Sequence, residues 1–131
     1  MRRFITVIAA FLCIGAAAQQ NVGFRQGNLK SPVVNEDNTV TFTVNAPAAS
    51  KVEVFGDWAV GHGYGLMEKN SDGLWTFTTP VLPSEMYTYR VIIDGVTGLD
   101  PLNPFTCRDV GTVFSIFYVH GGCADYYQVH D

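Results

Sequence analysis

The chain has 131 residues, 47% of them hydrophobic, and a formal charge of −4. That length suits one ordinary domain and is too short for two. An acidic balance without a basic stripe excludes a nucleic-acid-binding surface.

Residues 1 to 18 read as a signal peptide. Arg2 and Arg3 form its positive end, Phe4 to Ile14 an apolar run, and Ala16 to Ala18 a small-residue cleavage site. The run falls short of the about 20 residues that span a bilayer. Leu12 stands where a lipid-anchor site would need a small residue before Cys13. The expectation is export to the periplasm or beyond, with no membrane attachment once the leader is removed. Without Arg2 and Arg3 the remaining charge is −6. Residues 19–27 read as a flexible leader.

From about residue 28 the chain is a series of short strands with turn signals between them. Thr39 to Val44 alternates, with Val40, Phe42 and Val44 on one face and three threonines on the other. Asn45-Ala46-Pro47 ends it. Val52, Val54 and Gly56 continue the inward set. Residues 57 to 67, Asp-Trp-Ala-Val-Gly-His-Gly-Tyr-Gly-Leu-Met, carry glycines at alternate positions, which weakens strand propensity. They are expected to form a long exposed loop holding Trp58, His62 and Tyr64, the kind of loop that carries binding on a rigid scaffold. Asp72-Gly73 opens a hairpin into Leu74 to Thr79, where Trp75 and Phe77 share a core face.

Met86 to Ile93 is the strongest strand, aromatic and β-branched, with Tyr87, Tyr89, Val91 and Ile93 on one face and Thr88, Arg90 and Ile92 on the other. Asp94-Gly95 supplies a tight turn. Asp100-Pro101 and Asn103-Pro104 stiffen the following loop, because two prolines fix φ and remove amide donors. Thr112 to Val119 is the last long strand. No window after the leader has helical periodicity, so the fold is expected to be an all-β, two-sheet, immunoglobulin-like sandwich over about residues 28–122. Residues 123–131 read as the start of a linker.

Two cysteines remain after the leader, Cys107 and Cys123, and an exported chain invites a disulfide reading. The strand between them is roughly 23 Å long at about 3.3 Å per residue, whereas a bridge needs Cα atoms within about 7 Å. Only a bend returning the 120s alongside that strand would join them.

No Gly-x-Ser-x-Gly elbow surrounds any serine. His62, His120 and His130 lack metal-ligand spacing, and carboxylates such as Glu36 and Asp37 sit in turn-like sequence. Neither a catalytic site, a metal nor a cofactor is expected in this chain. Binding is the live alternative, since sugars lay apolar C–H faces on aromatic rings while polar groups hold their hydroxyls. The candidates are Trp58, Tyr64 and Arg90, with Thr97 nearby. Each has a structural alternative: core packing for Trp58, loop packing for Tyr64, and a solvated face or ion pair for Arg90.

Tyr-x-Tyr-Arg-Val-Ile-Ile-Asp-Gly followed by Asp-Pro-x-Asn-Pro resembles the early-set immunoglobulin-like domains of carbohydrate-binding module family 48. More narrowly, several segments resemble the leading domain of secreted Bacteroidetes feruloyl and acetyl-xylan esterases. These are Ser31-Pro32, Thr39 to Phe42, Ala46 to Ala49, Val54 to Trp58, Arg108 to Val110, Phe114 to Phe117 and Ala124 to Tyr127. The resemblance implies a non-catalytic domain whose partner is a C-terminal catalytic esterase domain, with plant cell-wall polysaccharide as a further partner. A freestanding glucan- or xylan-binding protein and a small independent enzyme are the other classes considered.

In the glucan-binding members two tryptophans, a lysine and an asparagine hold the sugar. By resemblance Arg90 stands at the lysine and Trp58 near the first tryptophan. Thr97 replaces the second tryptophan, and Phe114 the asparagine. That loss disfavours glycogen or starch. Docking through Trp58, Tyr64, Phe105 and the 124–129 segment is the expected principal role, with xylan contact through Trp58 and Arg90 second.

Overall fold

The computed structural model describes residues 28–58 and 63–127. Residues 1–27, where a signal peptide and a leader are expected, His62 and residues 128–131 lie outside them. Among the described residues ten strands build two antiparallel sheets: β1 (Val33–Val34), β2 (Val40–Asn45), β3 (Val52–Gly56), β4 (Tyr64–Leu66), β5 (Glu68–Lys69), β6 (Leu74–Thr78), β7 (Met86–Ile93), β8 (Val96–Gly98), β9 (Thr106–Asp109) and β10 (Thr112–Tyr118). One sheet runs β1-β2-β6-β5; the other runs β4-β3-β7-β10-β9, with β8 paired to β7. The fold is the expected all-β, immunoglobulin-like sandwich. The one helical element among the described residues is a 3-10 turn over Gly122–Tyr127, which buries Ala124. No described helix is long and apolar enough to cross a membrane.

Alternation makes the core. Val40, Phe42 and Val44 of β2 face Val52 and Val54 of β3 and Tyr87, Tyr89 and Val91 of β7, all buried. Burying each such side chain contributes about 1.5–3 kcal/mol. Phe42 is the centre of an aromatic cluster: the rings of Trp58, Tyr89 and Phe117 lie 5.2, 4.8 and 5.6 Å away. Trp75 is core, as its alternation with Phe77 implies, and its indole N–H donates to the Ala46 carbonyl at 2.8 Å.

The Asp-Pro-x-Asn-Pro loop is fixed by a buried polar latch. Asp100 is 2% exposed, and its Oδ2 accepts from the Ser31 hydroxyl at 2.6 Å and the Tyr89 hydroxyl at 2.8 Å. Its Oδ1 accepts from the Leu102 amide, and its own amide donates to Ser115 Oγ. Asn103 Nδ2 donates to the Tyr89 oxygen and to the Ile116 carbonyl, while its Oδ1 accepts from the Phe105 amide. Ser31 Oγ in turn accepts from the Thr43 amide of β2, so the latch crosses between the sheets. Buried polar groups are tolerable only when paired, and these are. Burial, and next the Asp100 carboxylate, push the Tyr89 phenol far above its ordinary pKa.

Four strands were not legible in the sequence: β1, β5, β8 and β9, of two to four residues each. The expected loop over residues 57–67 is also corrected, since Tyr64–Leu66 is a strand paired with β3. Gly63 and Gly65 permit close approach rather than breaking the strand. A Cβ at Gly65 would lie 2.5 Å from the Phe77 ring, and one at Gly63 would land on the Gly56 carbonyl. Asp94 and Gly95 form the expected turn, at φ 47° and 84°. The Asp94 carboxylate, however, accepts from the Ser50 and Lys51 amides rather than from its own turn. Cys107 is a free thiol.

Candidate functional site

The outer face of the larger sheet collects the candidate residues. On β7, Tyr89 and Val91 point into the core, so Arg90 and Ile92 point outward. Phe55 of β3 pairs with Arg90 on one side and with Tyr64 of β4 on the other. Thr97 of β8 pairs with Ile92. Continuing the register of Ser115 with Tyr89 by one step brings Phe114 to the next outward position on β10. A row therefore runs across the strands: Tyr64, Phe55 and Arg90.

The rings of Phe55 and Tyr64 lie 4.8 Å apart, inclined at 43°. Tyr64 is 57% exposed and Phe55 36%. Gly65 explains their display: with no side chain at the inward position, β4 settles over Phe77 and turns Tyr64 and Leu66 outward.

Arg90 is half-buried. Its Nη2 makes a long 3.4 Å hydrogen bond to the Thr97 carbonyl, and its Nε is shielded from solvent without a partner. Neighbouring acids on the face are committed elsewhere. Glu53 pairs with Lys51 at 3.0 Å, and Asp57 accepts from the Thr88 amide and hydroxyl, both at 3.0 Å. Among the described residues no carboxylate forms an ion pair with Arg90. Rings, an uncompensated guanidinium and hydroxyls equip this face for stacking and hydrogen-bond donation.

Three of the four sequence candidates, Tyr64, Arg90 and Thr97, thus share one face. Trp58 does not join them. Its ring folds back over Gly56, where a Cβ would collide with it, and stacks on Phe42. It is half-buried against the core, which is the structural alternative the sequence left open. Phe55 was missed, although the inward set Val52, Val54, Gly56 already placed it outward.

A second surface is lined by none of the residues of this row. An open depression of about 600 Å³ is lined by Pro32, Leu102, Pro104, Phe105, Ile116 and Tyr118, with Lys30 and His120 among its polar members. Phe105 is 66% exposed. The latch supports its wall, since Asn103 holds both the Phe105 amide and the Ile116 carbonyl. No group of three His, Cys, Asp or Glu among the described residues is placed to hold a metal ion.

Residues 29–106 match the model of the family described as carbohydrate-binding module 48 (isoamylase N-terminal domain). The chain belongs to that family. It is a non-catalytic carbohydrate-binding-module domain, as the Tyr-Arg-Val-Ile-Ile-Asp-Gly and Asp-Pro-x-Asn-Pro pattern implied. No curated protein matches it significantly. Among solved structures it is similar to the Group B Streptococcus pullulanase SAP in complex with maltotetraose. That match has a TM-score of 0.53 and 22% identity, covering 70% of this chain and 14% of the pullulanase. It is also similar to a Paenibacillus barengoltzii pullulanase complexed with maltotetraose, with a TM-score of 0.51 and 24% identity, covering 70% of this chain and 15% of that one. At these identities the likeness establishes the fold alone. The chain spans about one seventh of these larger proteins.

Proposed function

We propose that the chain is the accessory domain of a secreted, polysaccharide-degrading carbohydrate esterase of the feruloyl or acetyl-xylan type, docking against the catalytic domain and contacting xylan. The observation that carries the docking role is Phe105, an exposed aromatic beside an apolar depression with polar residues at its edge, the usual character of a partner surface. Docking through Trp58 finds no support, because that ring packs on its own core. The esterase reading is favoured by the segments resembling esterase leading domains. It is favoured also by exposed Thr97 and by Phe114 at the positions where glucan-binding members carry tryptophan and asparagine.

The test is the reading frame beyond Asp131. An α/β-hydrolase sequence with a Gly-x-Ser-x-Gly elbow is expected, and Phe105→Asp should then loosen that domain in limited proteolysis. A glycoside-hydrolase sequence would overturn the esterase type. It would favour the second reading, an accessory domain of a pullulanase-like enzyme, for which the two structural likenesses speak. A stop codon would favour a freestanding carbohydrate-binding protein.

A further inference from the structure

Resting on the carbohydrate-binding reading above, we infer that the ligand is a single linear, neutral, ribbon-like polysaccharide chain laid across the strands on the row Tyr64–Phe55–Arg90. The Phe55–Tyr64 ring pair is its stacking platform.

The direction follows from the register. Side chains of one row across a sheet repeat at the inter-strand spacing of about 4.8 Å, and the Phe55 and Tyr64 rings repeat at 4.8 Å. That step is comparable to one sugar residue of an extended chain. Successive sugars can therefore meet successive side chains across β4, β3 and β7, while a chain laid along the strands would leave the row after one contact.

The chemistry of the row is complementary to such a chain. Two exposed rings offer faces to the C–H surface of a pyranose. Beside them the Arg90 guanidinium has, among the described residues, no carboxylate partner and one long bond, to the Thr97 carbonyl, so its outward N–H groups are available to hydroxyl oxygens. The formal charge of −4 disfavours a polyanionic glycan through long-range repulsion.

Shape selects among neutral chains. The row lies on a sheet face, and the 600 Å³ depression is lined by other residues. A coiled glucan needs a concave surface to make several contacts at once, whereas an extended β-linked backbone of the xylan type needs only a track. The two rings are inclined to each other at 43°, so they suit a chain that twists between residues better than the flat face of a crystalline polysaccharide.

The test is affinity electrophoresis of the protein in soluble arabinoxylan, with xylohexaose and maltohexaose as competing probes and circular dichroism to check folding. Retardation relieved by xylohexaose is expected. Tyr64→Ala and Arg90→Met should each weaken it by about tenfold, a step of about 1.4 kcal/mol. Tyr64→Phe, which keeps the ring, and Val81→Ser, on an unrelated exposed site, should each change it by less than about threefold. Xylan binding that survives both Tyr64→Ala and Arg90→Met overturns the track while leaving carbohydrate binding in place. Competition by maltohexaose alone overturns the ribbon-like ligand. A folded protein retained by no polysaccharide, crystalline cellulose and glycogen included, overturns the track and the carbohydrate-binding reading together.

Discussion

Tyr89 and Arg90 are consecutive on β7, yet they belong to two regions built on opposite rules. Tyr89 is fully buried and its hydroxyl has two side-chain partners, Asp100 and Asn103, within a network that reaches both sheets. Arg90 faces outward with, among the described residues, one long hydrogen bond and no counter-charge. In the latch every polar group is paired, because an unpaired one would cost the fold its desolvation penalty. On the outer face water can serve the exposed guanidinium N–H groups until a ligand does, while the shielded Nε of Arg90 stays unmet. The alternation of a strand thus divides one run of residues between the core and the face proposed for recognition. Substitutions in the two regions should separate accordingly.

The largest effect is expected at the latch. Asp100→Ala leaves the Ser31 hydroxyl, the Tyr89 hydroxyl and the Leu102 amide without their acceptor in a buried site. The loss should be about 3 kcal/mol or more in urea denaturation. Asp100→Asn keeps the shape and one acceptor oxygen, so it should lose less. A loss within the error of a surface substitution at Asp100→Ala would show that the latch does not hold the loop.

Next in size is Gly65→Ala, which tests the connection between core and face. The added Cβ would meet the Phe77 ring at 2.5 Å, so β4 must lift or Phe77 must shift. Overpacking of this kind costs about 1–3 kcal/mol. Because β4 carries Tyr64, polysaccharide retention should fall with stability. Unchanged stability and unchanged retention would mean that β4 has room the structure denies.

A third, pH-dependent effect belongs to the latch alone. Tyr89 has its pKa raised in the folded state, by burial first and by the Asp100 charge second. For a raised pKa the stabilising contribution is present in full below the unfolded value, about 10 for tyrosine. It is lost as pH rises above that value, when the unfolded chain ionises and the folded one does not. Tyr87, raised mainly by burial, acts in the same direction. Melting temperature should therefore fall steeply between about pH 10 and 11. The fall should be shallower in Tyr89→Phe, which starts lower for want of its hydrogen bonds. An equal slope in both proteins would separate the alkaline loss from Tyr89.

How far the sequence revealed these regions depended on whether local chemistry agreed with position. The long strands were legible because Val40, Phe42, Val44 and Tyr87, Tyr89, Val91 alternate over enough residues to fix a face. The turn at Asp94-Gly95 was legible because both residue types accept positive φ. The β9–β10 turn was not, because it places Val110 at φ 48°, a conformation that β-branched residues rarely adopt. The alternate glycines before Leu66 were misread as loop chemistry, although Gly63 and Gly65 lie inward where backbone and Phe77 approach closely. Arg90, Tyr64 and Thr97 were identified without their common face, which only the pairings of β3, β4, β7 and β8 supply. Trp58 remained ambiguous because nothing local announces that Gly56 leaves a space its ring fills. The latch residues were legible as a stiff loop and not as a network, since Ser31 and Asp100 are 69 positions apart.

The smallest effect is the one that sharpens the comparison most. Tyr64→Ala and Arg90→Met remove large side chains from β4 and β7, one position from strand residues that are fully buried. If the outer face contributes recognition and little stability, Arg90→Met should change the unfolding free energy by no more than about 0.5 kcal/mol, as exposed substitutions usually do, and Tyr64→Ala by no more than about 1.5 kcal/mol. Tyr64 has most to lose, since its ring touches Phe55, and an exposed aromatic pair contributes about 0.5–1.5 kcal/mol at most. Arg90 has a shielded Nε with no partner, so replacing its head by methionine removes an unmet donor and should be neutral or slightly stabilising. Chemical denaturation of both variants beside Asp100→Ala settles the matter. Losses at Tyr64 and Arg90 approaching that at Asp100 would mean that the face is structural after all, and that any fall in polysaccharide retention there is secondary to unfolding.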